Sequence, residues 1–518
     1  MILSNQVKRL FCFLFCLFIL NSSFAGPWLL PGSLSVKSDI DLLADAGLIK
    51  APVMIWPIAW ANIGPDLLSD ETKKKLSKEP ESVQQAYQRI LTLYQQSYQP
   101  YKAQTAIYAS GSNRLNPFRT FQYEPYAKLA SGVSSGYQMK HFAESINVSY
   151  YHAPNQSYSD DVHLDNSYAY LLSENWAFGV DQFNRWWGPG YSGSMILSQN
   201  AEPFPTIDFQ RIKAKAFQTK WLHWIGPWTL ASYLSEDGPS FYSYPSGVDN
   251  ILFWYTSVSF KPLQSLQFDI SRSTHFAGKQ RPVTGNMLLH ILSFQNAYSS
   301  DIPGQDVPGS DEWDIGLRWG LQNTFHIPVD LYMQTLFSGI YGWVPLPIPD
   351  CTTFLLGASV VTQLSASTLR TYFEYENNIE WPFYFWGRQK ADPTGGVIPN
   401  PYGGPYPYTY YNRLLGSPLG SEGIGYTLGM ILNESNGNSD TASLRFLQPN
   451  YLNMGTAGTP GYPFSKQNLL WTAVGRSIQL SPHLGVLTGE FGYLFFLKGL
   501  TNHLTSGASV TLTWSKSF

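Results

Sequence analysis

Charge is scarce in this chain: Asp, Glu, Lys and Arg make up 13% of its 518 residues, and the formal net charge is −3. A nucleic-acid partner needs a basic footprint, and none is present. Cysteine is nearly absent. Cys12 and Cys16 fall in the leader described below, which leaves Cys351 and no intramolecular disulfide in a mature chain. Beyond residue 25 no apolar run approaches the length of a transmembrane helix. No HExxH or CxxC pattern occurs, and the glycine-rich stretches lack the Lys-Ser/Thr of a phosphate cradle. No cofactor or metal is expected.

Aromatic side chains, by contrast, are abundant, at 16% of the chain. Mean hydropathy is only −0.16. That pairing suits a membrane β-barrel, whose lipid face uses every second residue. The C-terminal residues show the pattern. Val510, Leu512, Trp514 and Phe518 share one parity, and Ser509, Thr511, Thr513 and Ser515 take the other. A final strand ending on Phe is typical of bacterial outer-membrane barrels. Lys516 interrupts the apolar series, and a lysine at a barrel rim can reach the headgroups. At the other end, Lys8 and Arg9 precede the apolar run Leu10–Leu20, and Ser23-Phe24-Ala25 follows. This reads as a cleaved secretory leader over residues 1–25.

Residues 26–104 read as a small helical bundle. Ser38 can cap a helix, with Asp41 three residues on. A second helix runs from Asn62 to Leu76, with Pro65 near its first turn and Lys73, Lys74 and Lys75 at its C-terminus. Pro80 opens a third, striped by Val83, Tyr87, Ile90, Leu91 and Tyr94. A periplasmic position is expected, with entry into the barrel as a plug as the alternative. Over residues 105–518 the period is two. Asn147, Ser149, Asp181, Asp330, Tyr332, Gln334, Arg370, Tyr372, Glu374 and Glu376 fall on the lumenal parity. At roughly 23–26 residues per strand with its loops, this segment yields 16 to 18 strands. Trp221, Trp224, Trp228, Tyr255, Trp319 and Trp343 lie near turn signals and are expected in the interfacial girdles. Two long irregular segments interrupt the pattern. One, 298–313, carries Asp301, Asp306, Asp311 and Glu312; it reads as a solvated loop rather than a calcium site. The other, 389–411, is rich in Pro and Tyr and suits a lid and a sugar platform.

Four groups of residues invite a functional reading. Asp181, Arg185, Trp186, Trp187 and Tyr191 surround Trp186-Trp187-Gly188-Pro189-Gly190. They suit either a carbohydrate contact or the bracing of an inward-folded loop. Glu374 and Glu376 with Arg370 invite a glycosidase reading. A nearby arginine would keep both carboxylates ionised, so a lumenal ion-pair network is the expectation. Tyr408 and Arg413 border the second long segment, where Arg413 suits an acidic sugar or a Glu partner. Ser271 or Ser273 with His275 is a weak Ser–His candidate.

The element from Asp181 to Pro203, with its Trp-Gly-Pro-Gly and Asn200-Ala-Glu-Pro203, resembles the Wzi-type capsule assembly family. Asp39-Ile-Asp-Leu-Leu-Ala-Asp-Ala-Gly-Leu48, Trp56-Pro-x-x-Trp60 and Tyr408-Thr-Tyr-Tyr-Asn-Arg413 are similar to that family's other signatures. The resemblance implies an all-β transmembrane antiparallel barrel of 18 strands over an N-terminal α-helical bundle. It implies a non-enzymatic, lectin-like role in holding capsular or exopolysaccharide. Other expected partners are outer-membrane lipid, lipopolysaccharide and the barrel-insertion machinery, with the protein itself a monomer. A diffusion channel for sugars or other solutes is the alternative function.

Overall fold

The computed structural model describes residues 26–154, 161–236, 250–278, 282–293, 309–325, 327–338, 352–381, 408–410, 413–453, 463–481, 484–499 and 504–518. The leader, Cys351, Trp343, Asp301, Asp306 and most of 389–411 lie outside them. Eighteen antiparallel strands close into a barrel. They are β1 Gln104–Ser112, β2 Ala127–Gln138, β3 Phe142–Pro154, β4 in two pieces (Asp161–His163 and Tyr168–Leu172), β5 Trp176–Asp181 and β6 in two pieces (Thr206–Arg211 and Lys215–Ala216). Then follow β7 Pro227–Glu236, β8 Leu252–Leu263, β9 Leu266–Phe276, β10 Ser310–Gly320, β11 Val329–Ser338 and β12 Thr352–Leu364. The barrel ends with β13 Ser367–Trp381, β14 Ile424–Glu434, β15 Ser439–Gln448, β16 Gln467–Ser481, β17 Gly485–Gly499 and β18 Gly507–Ser517. The seam joins β18 to β1, from Thr511 opposite Ser112 to Ser517 opposite Ala106, and the Phe518 amide donates to the Thr105 carbonyl at 2.9 Å.

Alternation sorts the side chains. Leu129, Ile146, Phe178, Val180, Ile207, Leu331, Leu356, Phe373, Leu428, Val474, Val510 and Leu512 are exposed on the outer wall. Their lumenal neighbours Asn147, Ser149, Asp330, Gln334, Arg370 and Glu374 are buried. A wall of exposed aliphatic and aromatic side chains is what a lipid-facing strand requires. Both chain ends of the barrel and short turns such as 264–265, 365–366 and 435–438 lie at one rim, and the long connections lie at the other. Lys516 is near the short-turn rim, its Nζ 4.0 Å from the centre of the Phe518 ring. Trp221 and Trp224 are exposed at this rim, as a girdle requires. Tyr255 is not a girdle residue. It is fully buried on the lumenal face of β8, stacked 5.0 Å from Tyr233.

The helical segment differs in detail from its sequence reading. Helix α1 spans Leu34–Asp45 and is capped by Ser33, whose hydroxyl accepts from the Val36 amide at 3.3 Å. Ser38 lies inside the helix. The stretch expected as one helix is two, α2 Trp60–Leu68 and α3 Asp70–Leu76, divided at Ser69, which caps α3 through the Thr72 amide. A serine with extended backbone satisfies the free amides of a new helix better than a continuous helix would use it. Lys73, Lys74 and Lys75 do lie in the last turn of α3. Helix α4 spans Glu81–Ser97, with Val83, Tyr87 and Ile90 buried.

Helix α1 is buried along most of its length against lumenal side chains of the barrel. Arg318 on β10 reaches Asp45 at 2.7 Å, Asp330 on β11 at 2.8 Å and Asp41 at 3.5 Å. Arg370 on β13 bonds Asp330 at 2.7 Å and the Ser38 hydroxyl at 2.9 Å. On one face of the helix, Lys37, Asp41 and Asp45 recur every four residues, the spacing that stacks side chains. Helix α4 lies beneath, where Arg89 forks onto Asp39 at 2.7 and 2.8 Å. Its Gln85 meets Thr368, just past the 365–366 turn, at 3.4 Å.

Candidate functional site

The connection between β5 and β6, residues 182–205, folds into the lumen. Trp186 and Trp187 pair as a short antiparallel ribbon with Trp56 and Ile55 from the helical segment. The Gly188 amide donates to the Met54 carbonyl at 3.1 Å. Gly188 has φ +142°, a conformation that penalises any side chain, and a Cβ on Gly190 would collide with the Gly193 carbonyl. The Trp-Gly-Pro-Gly sequence is therefore a tight inward turn flanked by two large rings. Trp186 is fully buried, its Nε1–H donating to the Gly190 carbonyl at 3.1 Å and its ring edge-on to Phe121. Trp187 packs edge-on to Tyr233 and Tyr255.

At the root of the loop, Arg185 and Asp181 form the expected pair. The guanidinium donates to the Asp181 carboxylate at 2.6 Å and to the Thr206 hydroxyl at 2.9 Å. It lies 3.7 Å from Asp208 and 4.2 Å from the centre of the Tyr233 ring. The Tyr170 hydroxyl lies within hydrogen-bond reach of both Asp181 and Asp208, sharing its one proton between them. Every charge here is buried and partnered, the condition for holding ions out of water.

At the tip of the loop, Tyr191 joins three parts of the molecule. Its amide donates to Glu374 Oε1 at 2.6 Å, and the Ser192 amide donates to Oε2 at 2.8 Å. The Tyr332 hydroxyl adds a third bond to Glu374 at 2.8 Å, and the Ser192 hydroxyl a fourth. The Tyr191 hydroxyl crosses to Asp41 of α1 at 2.7 Å, and its ring stacks 4.8 Å from Tyr372. Burial pushes the Asp41 carboxyl up, but Arg318, Lys37 and Arg370 outweigh it and hold the pKa below the ordinary value.

The second group departs from its sequence reading. Glu374 and Glu376 face the lumen, but Arg370 pairs with Asp330 rather than with either glutamate. Glu374 accepts instead from peptide and hydroxyl donors. Glu376 accepts from the Ser417 hydroxyl and from Asn378 at 3.1 Å. Both oxygens of Glu374 are thus committed to fixing the loop. Tyr408 is buried; its hydroxyl donates to the Ile196 carbonyl at 2.5 Å and its ring stacks 4.7 Å from His275. His275 Nε2 is 3.0 Å from the Ser273 hydroxyl, with both side chains sealed beneath that ring. Arg413, half-buried, opens the second strand of a small hairpin, Thr409–Tyr410 with Arg413–Leu414. Asp311 is occupied by a bidentate bond from Arg272 at 2.7 and 3.0 Å.

The structure therefore joins the Trp-Gly-Pro-Gly loop to Glu374, and Tyr408 to the descending end of the same loop. Sequence reasoning did not single out Asp45 or Arg318; it set Asp330 in the lumen and Asp41 at a helix cap without joining either to the clasp. The four-residue recurrence of Lys37, Asp41 and Asp45 was the available signal.

The model of the family described as capsule assembly protein Wzi matches residues 104–462. A solved Escherichia coli structure, described as Wzi, an outer membrane protein involved in group 1 capsule assembly and a carbohydrate-binding β-barrel, has a TM-score of 0.73 at 19% identity. The likeness covers 95% of this chain and 99% of that one. Pseudomonas aeruginosa OccK3 is a distant likeness, with a TM-score of 0.41 at 9% identity, covering 81% and 96%. A Klebsiella pneumoniae relative, described as an uncharacterized 55.8 kDa protein in the cps region, is 23% identical over 313 residues. That match takes in 60% of this chain and 58% of the relative, less than two thirds of its length. By the family model, which spans most of the barrel, the chain belongs to the capsule assembly protein Wzi family.

Proposed function

We propose that this protein is a non-enzymatic outer-membrane barrel that binds surface or capsular polysaccharide and aids its attachment at the cell surface. The short-turn rim and helical foot face the periplasm in this reading, and the long connections face outward. The observation that carries it is the clasp between Tyr191 and Asp41. A loop descending from one rim meets a helix entering from the other, and both are fixed by buried charge. A barrel built this way suits holding a polymer outside better than passing a solute through. Asp181, Arg185, Trp186, Trp187, Tyr191, Glu374 and Glu376 then act by bracing the loop, and Tyr408 by packing its far end. Polymer contact is assigned to the outward connections, with Arg413 at their base.

The test compares cells with and without the protein for cell-bound against released polysaccharide, alongside glycan binding by the purified barrel. Loss of retention on deletion, restored by the wild-type protein, is expected. Arg413→Ala is expected to weaken binding while the barrel stays folded. Normal retention without the protein, together with no glycan binding in vitro, would overturn the proposal.

A further inference from the structure

The connection from β9 to β10 contains a helix that rests on the outside of the barrel. This helix, α5, spans Gly285–Leu292 and is capped by Thr284, whose hydroxyl accepts from the Met287 amide at 3.0 Å. On β9, Ile270, Arg272, Thr274 and Phe276 share the outward parity, while Ser271, Ser273 and His275 face the lumen. Ile270 is exposed with the rest of the outer wall. Arg272, Thr274 and Phe276, nearer the long-connection rim, are buried. The cover is α5. Its Met287 and Ile291, four residues apart on one face, pack with Phe276 and Ala277 and against Leu252 and Trp254 of β8.

Beneath the helix lies an ion pair. The Arg272 guanidinium donates to the Ile291 carbonyl at 2.6 Å as well as to Asp311. Asp311 also accepts from the Thr274 hydroxyl at 2.8 Å and from Trp313 Nε1 at 3.1 Å. A charge on the outward face of a membrane barrel is destabilising where it meets hydrocarbon, and here α5 roofs it.

The other face of α5 points away from the wall. Leu289 is 63% exposed and Leu292 58%, with Leu288 beside them. The helix, Gly-Asn-Met-Leu-Leu-His-Ile-Leu, contains no Asp, Glu, Lys or Arg. A helix at a water surface turns a polar side outward, whereas this one is apolar on both faces. Eight residues are too few to cross a membrane.

We propose that α5 lies within the outer leaflet, with Leu288, Leu289 and Leu292 against lipid acyl chains. The occupant follows from continuity. The wall on which α5 rests already presents Ile270 to lipid, and the three leucines carry that apolar surface outward over a helix. The choice of leaflet rests on the reading in which the long connections face outward. The β9–β10 connection is then anchored in the membrane rather than free above it.

The test places a nitroxide label on single cysteines of the full-length protein in phosphatidylcholine nanodiscs. Cys351→Ser removes the thiol left after the leader. Leu289→Cys and Leu292→Cys carry the label on the helix. Val474→Cys on the outer wall and Asn436→Cys in a short turn are the references. Collisions with oxygen, which concentrates in hydrocarbon, are compared with collisions with a water-soluble nickel chelate. Both helix labels are expected to match Val474→Cys, with high oxygen accessibility and loss of the nickel collisions seen at Asn436→Cys. Nickel accessibility at the level of Asn436→Cys at either helix label, with Val474→Cys still shielded, would overturn the proposal alone. Dipolar broadening between labels would also overturn it, by seating a second copy of the chain on this face. A nickel-accessible Val474→Cys would overturn the membrane reading of the whole wall, and α5 with it. Either helix variant decides by itself if the other fails to fold. The readout involves no glycan, so failure of polysaccharide retention and failure of this inference are distinct results.

Discussion

Single residues in this barrel act chiefly as anchors. Tyr191→Phe removes the bond to the Asp41 carboxylate and leaves the ring stack on Tyr372. A hydrogen bond to a charged group contributes about 1.5–3 kcal/mol, and a loss of that size in unfolding free energy is expected, read as a lower denaturant midpoint. Trp186→Ala empties a fully buried site and is expected to cost about 3–5 kcal/mol. If both variants unfold at the wild-type midpoint, the loop is not the structural clasp described. The loop's chemistry was only half legible in the sequence. Two glycines around a proline announce a turn, and Asp181 and Arg185 announce a pair. Nothing local says that Glu374, 183 residues on from Tyr191, accepts its amide. Partnering across a closed barrel is set by strand register, and one sequence does not reveal which strands face which across the lumen.

At the scale of elements, α1 is the piece whose position decides the rest. Its docking rests on Arg318 and Arg370, so Arg318→Ala leaves Asp45 buried without its cation and Asp330 with Arg370 alone. Breaking such a group costs about 3–5 kcal/mol. The expected readout is faster proteolysis within residues 34–45 while heat-modifiable migration of the barrel persists. Burial raises the Asp45 carboxyl to about 6, against the pull of Arg318. The folded state therefore holds a proton over pH 4 to 6 that the unfolded chain has released. Its contribution to stability is fully present below about pH 4 and is lost as pH rises through about 6. Asp45→Asn is expected to flatten that part of the stability–pH curve. An unchanged slope would mean that another group titrates there. The alternating strands were legible because period two is a local signal, and the apolar stripe of α4 was legible for the same reason. The start of α1 and the break at Ser69 were not. Ser33, Ser38 and Ser69 carry the same capping side chain, and tertiary packing chooses among them.

For the whole molecule, strand number followed from the length of the period-2 segment and the family resemblance together. Closure of the lumen did not follow from either. A wide barrel can hold an aqueous channel, and polar lumenal parity is the same in an open barrel and a filled one. Among the described residues, the 182–205 loop and α1 meet inside the barrel, a contact that strand parity does not reveal. The purified barrel in a planar bilayer tests this most directly. With wild-type protein a flat baseline is expected across ±100 mV, and Arg318→Ala is expected to show intermittent openings as α1 loosens. Steady stepwise conductance of the wild-type barrel would contradict a closed lumen, and with it the reading of this protein as a polysaccharide holder rather than a channel.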